Sequence, residues 1–157
     1  MKEELLQIML AGKQKQELEK IISSNQLSSQ FGVTLSEENA SMLMKSRRET
    51  LKETERIEFG EGILSKLIYH FCDSPYIYQE NYADTLAVLQ DIFYQYKNEC
   101  LDEISDDELL EFMKHHFDGS CQGSLEYLEE TCLDELARSI RAGESREEIY
   151  DDERDKL

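Results

Sequence analysis

The chain has 157 residues, with seventeen Lys and Arg against thirty-five Asp and Glu and a formal net charge of −18. That length is enough for one ordinary domain with its own core, and an apolar share of 39% with eight Tyr and six Phe excludes a disordered chain, which lacks the aromatics that repay ordering entropy. Residues 1–56 hold nine bases and nine acids, whereas residues 57–157 hold eight bases and twenty-six acids, so the whole excess lies in the second segment, which phosphate backbones and anionic membrane surfaces repel.

One proline and seven glycines predict long helices with few joints. Residues 2–11, with Leu5, Leu6, Met9 and Leu10, and residues 13–23, with Leu18, Ile21 and Ile22, read as two short helices or one kinked at Gly12. The polar run from Ser23 to Gln30 reads as a loop. Ser36 is placed as an N-cap, with Glu37 and Glu38 in the first turn of a helix reaching about Arg56. Its inward residues are Ala40, Leu43, Met44 and Leu51; Arg47 and Arg48 interrupt the stripe and put this helix on the surface. Gly62 to Cys72 forms a short helix with Ile63, Leu64, Leu67, Ile68 and Phe71 on one side, ended at Pro75.

The strongest pattern spans 79–101. Tyr82, Leu86, Leu89, Phe93, Tyr96 and Cys100 recur at alternating steps of four and three, one face of a helix, and Ala83, Ala87, Val88 and Ile92 widen that face. This helix is expected to be central. Ser105 caps the next helix, which carries Leu109, Leu110, Phe112, Met113 and Phe117. A last helix, about 124–142, buries Leu125, Leu128, Cys132, Leu136 and Ile140. Residues 144–157 are expected as a charged tail, either a frayed end or a solvated helix. The expected fold is an all-α bundle of five to seven helices, a single domain over residues 1–143 divided into a neutral N-terminal segment, 1–56, and an acidic core, 57–143.

No apolar leader is visible at the N-terminus and no stretch reaches the ~18 apolar residues that span a bilayer, so the expected compartment is the cytoplasm. There Cys72, Cys100, Cys121 and Cys132 are expected as thiols.

Three constellations bear on function. Counted from Asp118, the segment to Glu129 places oxygen-bearing side chains where an EF-hand loop has its ligands: Asp118, Ser120, Gln122, Glu126 and Glu129, with Gly123 at the sixth position and Leu125 at the eighth. Gln122 and Ser120 are neutral where charge is wanted, and the chain has no second loop, so calcium is an alternative and no cofactor is the leading expectation. The same turn reads Gly119-Ser120-Cys121-Gln122-Gly123, which has the glycine spacing of a nucleophile elbow but no strand before it. A cysteine-dependent enzyme at Cys121, with His115 or His116 as base, is a further alternative; zinc at His115, Cys121 and Cys132 matches no ligand spacing. No complete catalytic set is present.

The third constellation is an acidic run, with no Lys or Arg from Asn98 to Met113. Asp102, Glu103, Asp106 and Asp107 in it are candidate contacts for a basic protein partner, against the simpler reading of a solvated, N-capping helix junction. Tyr76, Tyr78 and Tyr82 beside Pro75 form an aromatic cluster suited to an interface or to packing.

Three segments carry a family resemblance: Glu58 to Gly62 with Phe71 to Ile77, Asn81 to Leu86, and Phe117 to Gly119 with Gln122 to Leu125. Over residues 57–142 the chain resembles a bacterial family known only as a domain of unknown function. The resemblance implies a bacterial cytoplasmic protein and no activity, ligand or catalytic residue. The leading expectation is a non-enzymatic acidic adaptor protein.

Overall fold

The computed structural model describes residues 2–59 and 62–143; the charged tail 144–157 lies outside the described residues. Among the described residues the secondary structure is helical throughout, an all-α bundle. In chain order it comprises α1 (Lys2–Ser23), α2 (Asn25–Ser28), a 3₁₀ turn (Ser29–Phe31), α3 (Glu37–Glu53), α4 (Leu64–Phe71), α5 (Tyr82–Glu99), α6 (Asp106–Asp118), α7 (Leu125–Tyr127), a π-helical segment (Leu128–Leu133) and α8 (Asp134–Arg141). Six of the α-helices have eight residues or more. Contacts group into two compact units, Met1–Asp91 and Ile92–Leu157, and α5 carries the chain from one to the next.

In the first unit, α1 runs through Gly12 as one helix, and only Ile21 of it is buried. The apolar residues at its start are open to solvent, Leu5, Leu6, Ile8, Met9 and Leu10 being 57–69% exposed. The polar run after it is not an open loop but α2 and the 3₁₀ turn. A side-chain clamp makes this compact: the Asn25 amide donates to the Leu35 carbonyl at 2.9 Å and its oxygen accepts from the Leu35 amide at 2.8 Å. Gln79 holds Thr34 in the same two-handed way, at 3.0 and 2.8 Å. Such backbone mimicry by long-range amide side chains leaves no local signal in the sequence.

Ser36 caps α3 as expected, accepting from the Asn39 amide at 3.0 Å while the Asn39 side chain accepts from the Ser36 amide at 3.2 Å. The reciprocal pair satisfies two amides that have no partner within the helix. Ala40, Leu43 and Met44 are buried, and so is Arg47, at 4% exposed. This corrects the surface placement of the arginine. Arg47 Nε meets Glu58 Oε1 at 2.9 Å, and the same oxygen accepts from the Ile63 amide at 3.2 Å, ahead of α4. A Cβ at Gly62, whose φ is +58°, would stand 1.5 Å from Glu58 Oε1 and 2.7 Å from Arg47 Nε. A side chain at this position would have to displace the Glu58 carboxylate from Arg47. From α5, Gln90 donates to the Leu43 carbonyl at 3.3 Å, and Thr50 bonds Asp91.

All six residues of the 79–101 stripe are buried, between 0 and 3% exposed. Their partition follows the units: Tyr82, Leu86 and Leu89 belong to the first, Phe93, Tyr96 and Cys100 to the second. Val88, expected to widen the stripe, is 40% exposed, because the buried polar positions Thr85 and Gln90 rotate the inward face away from it. Of the tyrosine cluster, Tyr82 is core and burial pushes its phenol up to about 12, while Tyr76 and Tyr78 stay exposed.

In the second unit α6 begins at Ser105, whose hydroxyl accepts from the Glu108 amide at 3.1 Å. Leu109, Leu110, Phe112, Met113 and Phe117 are all buried along it. The helix after the 119–124 turn departs from regular α geometry at Leu128–Leu133. Tyr96 sits at this wider turn, its hydroxyl 2.6 Å from Asp134 Oδ1 and 2.9 Å from the Glu129 carbonyl oxygen. A π turn shifts the backbone bonding by one residue, and Tyr96 supplies a donor where that shift leaves a carbonyl available. Burial, followed by the Asp134 carboxylate it bonds, pushes the Tyr96 phenol well above its ordinary value. Leu128, Cys132, Leu133, Leu136 and Ile140 then line the inward side.

Candidate functional site

Two places in the second unit concentrate chemistry. The first is the junction between α5 and α6. Leu101 and Asp102 both adopt left-handed backbone, with φ of 57° and 56°. That conformation is costly for leucine, and it is held by Asp102 and Glu103 amides bonding back to the Lys97 and Cys100 carbonyls at 2.9 and 3.0 Å. Ile104 is buried and pins the loop. Lys97, only 6% exposed, reaches under it: its ammonium lies 2.6 Å from the Ile104 carbonyl, 2.9 Å from Asp106 and 4.0 Å from Asp102. Arg141 closes the other side, 2.9 Å from Glu99.

The structure therefore divides the four acidic candidates. Asp106 and, more distantly, Asp102 neutralise Lys97; Glu103 and Asp107 lie on the exposed surface. Lys97 itself escaped sequence reasoning, since a lone lysine late in a helix reads as solvated. Its position four residues after Phe93 and three after Tyr94, on the buried side of α5, is the signal that points inward.

The second place is the turn between α6 and α7. Gly119 lies so close to the end of α6 that a Cβ there would stand 2.8 Å from the His115 carbonyl oxygen. The turn is closed by its own backbone: Gly119 and Cys121 amides reach the His115 and His116 carbonyls at 3.0 and 2.9 Å, and the Gly123 amide reaches Phe117 at 2.8 Å. Gln122 and Gly123 take positive φ, 48° and 81°, to make this possible.

In and around this turn the five calcium candidates are placed as follows. Asp118 is the last residue of α6 and pairs with Lys114 at 3.2 Å; Ser120 and Gln122 are exposed on the turn; Glu126 is in α7 and Glu129 in the π segment. Burial, and then the neighbouring Glu130 and Asp134 carboxylates, raise the Glu129 carboxyl above its ordinary value. Among the described residues no group of three or more His, Cys, Asp or Glu side chains is arranged to hold a metal ion.

At this turn the structure gathers Ser120 and Cys121 with His116 and Cys132. His116 is 1% exposed, with its Nδ1 3.3 Å from Ser120 Oγ and its ring 4.2 Å from the Phe112 ring. Burial, and then His115, lower its pKa to about 4, so the imidazole is neutral at physiological pH. His115, its neighbour, stays on the exposed side. Ser120 Oγ lies 3.9 Å from Cys132 Sγ, and Cys132 Sγ lies 3.7 Å from Cys121 Sγ. Both cysteines are 5% exposed and reduced. In sequence these two cysteines came together only as zinc candidates with His115, and Cys132 otherwise reads as one more apolar-stripe residue; a cysteine in a turn followed by another about two turns into the next helix is the spacing that permits the pairing.

The family model of unknown function, DUF6323, matches residues 20–146. The chain belongs to the family of unknown function DUF6323. The match extends well beyond the three segments that carried the resemblance, taking in α2 and α3, and leaves most of α1 outside it. Comparison with curated proteins and comparison with solved structures each found no match. No helix among the described residues is long and apolar enough to cross a membrane.

Proposed function

We propose that this DUF6323 protein is a non-enzymatic, cytoplasmic interaction protein whose α5–α6 junction receives a basic segment of a protein partner. The observation that carries this reading is the internal neutralisation of Lys97: the buried lysine fixes the junction through Asp106 and the Ile104 carbonyl, and Glu103 and Asp107 remain on the surface beside it. A fixed acidic loop loses little conformational freedom on binding, and the net excess of acids over residues 57–157 steers a cationic partner toward it. Leu101, 60% exposed at the same loop, offers an apolar contact within the acidic rim.

The test is an NMR titration with a Lys/Arg-rich peptide, repeated with Glu103→Lys/Asp107→Lys protein, which spares the two partners of Lys97. Amide shifts confined to about residues 99–111, lost in the double variant and weakened by salt, support the reading. Shifts spread over the whole acidic surface, or unchanged in the variant, would overturn it.

A further inference from the structure

We infer that Cys121 and Cys132 form an oxidisable dithiol, a site at which a small peroxide converts two thiols into an internal disulfide. The sulfurs stand 3.7 Å apart, so about 1.7 Å of approach completes a bond of ~2.05 Å. Neither end of the pair is rigid α-helix. Cys121 lies in the 119–124 turn beside two residues of positive φ, and Cys132 lies in the π segment, where each turn holds an extra residue. Rotation about the two side chains, with slight give in these irregular stretches, brings the sulfurs together without unpacking α6 or α8.

The other two thiols mark the contrast. Cys100 is wholly buried in the α5 stripe and burial holds its thiol up at about 11, which withholds the thiolate. Cys72 lies in the first unit at the end of α4, its sulfur 4.0 Å from the Tyr69 carbonyl oxygen. Cys121 is a buried residue of an otherwise exposed turn and Cys132 lies 3.7 Å from it, with Ser120 on the solvent side of the pair. At 5% exposure the opening suits a reagent as small as hydrogen peroxide better than a bulky disulfide.

The chemistry balances in two steps. One thiolate attacks a peroxide oxygen, cleaving the O–O bond to leave a sulfenic acid and, after protonation of the leaving hydroxide, one water. The second sulfur attacks the sulfenic sulfur, forming the S–S bond and releasing a second water. Two thiols are oxidised by two electrons, and hydrogen peroxide is reduced to two waters.

The experiment treats the full-length reduced protein with near-stoichiometric hydrogen peroxide, quenches with acid, alkylates the remaining thiols after unfolding, and maps the products by mass spectrometry. The expected product has lost ~2 Da, carries a peptide link between Cys121 and Cys132, keeps Cys72 and Cys100 alkylatable, and returns to four thiols with dithiothreitol. Cys121→Ser and Cys132→Ser should each abolish the link, and the surviving sulfur should be trapped by dimedone as sulfenic acid. Four alkylatable thiols after treatment, or only intermolecular disulfides, or sulfinic acid without the internal link, would overturn the inference. The mapping of the unmutated chain decides the matter even where a variant fails to fold.

Discussion

Arg47 in the first unit and Lys97 in the second are both buried cations on helices, 4% and 6% exposed, and each collects the loop that follows its helix. They differ in how far water reaches the counter-charge. Glu58, opposite Arg47, keeps 22% of its side chain exposed, whereas Asp106 and Asp102, opposite Lys97, keep 43% and 56%. His116, also in the second unit, solves the burial problem differently, by giving up its charge among Phe112, His115 and Ser120. A cationic side chain can thus be buried against a shielded carboxylate, against a wet one, or neutral, and each solution responds differently to mutation and pH.

The shielded pair should be the most sensitive. Arg47→Met strands the Glu58 carboxylate against Ile63 and Gly62, and a loss of about 3 kcal/mol is expected, the lower end for a broken buried pair. Urea denaturation measures it; a loss below about 1 kcal/mol would show that water already serves Glu58.

His116 sets the next effect, and its sign is fixed by linkage. The folded state holds the imidazole near 4, below the ordinary 6.5, so the unfolded chain takes up the proton first as pH falls. The contribution of the neutral ring is complete above about pH 6.5 and is lost progressively down to about 4, amounting to about 3 kcal/mol at most. Stability curves at several pH values should be flatter across that window in His116→Gln than in the unmutated protein. Parallel curves would contradict the neutral burial.

Lys97→Met should cost the least, about 1–2 kcal/mol, because Asp106 and Asp102 can be rehydrated and only the Ile104 carbonyl loses its donor. The same variant sharpens the functional proposal: it should loosen residues 100–105 in amide exchange while leaving the exchange of α3 unchanged. A cost equal to that of Arg47→Met would erase the distinction between the two pairs.

Much of this molecule was legible locally. The caps at Ser36 and Ser105, the six-residue stripe of α5 and the apolar sides of α4 and α6 all follow from spacing and capping chemistry. What misled were polar residues inside patterned segments, with Arg47 read as surface and Ser23 to Gln30 read as loop, and one apolar residue, Val88, read as part of the buried face. Each was decided by a partner distant in sequence, Glu58 for Arg47 and Leu35 for Asn25, or by the depth at which Thr85 and Gln90 sit on α5. The functional residues show the same division. Asp102 to Asp107 stand out in sequence as a charge run, but which of them engage a buried cation depends on Lys97 reaching beneath the loop.

By itself, then, the sequence determined the longer helices, the starts capped by Ser36 and Ser105 and the segregation of charge, because hydrophobic period, capping and net charge are set within a few residues or by composition alone. Only the tertiary structure decided which cations are buried, where the last helix widens into a π turn, and that the Cys121 and Cys132 sulfurs lie 3.7 Å apart. Those outcomes depend on contacts across turns and between helices, whose energies no local stretch of chain contains.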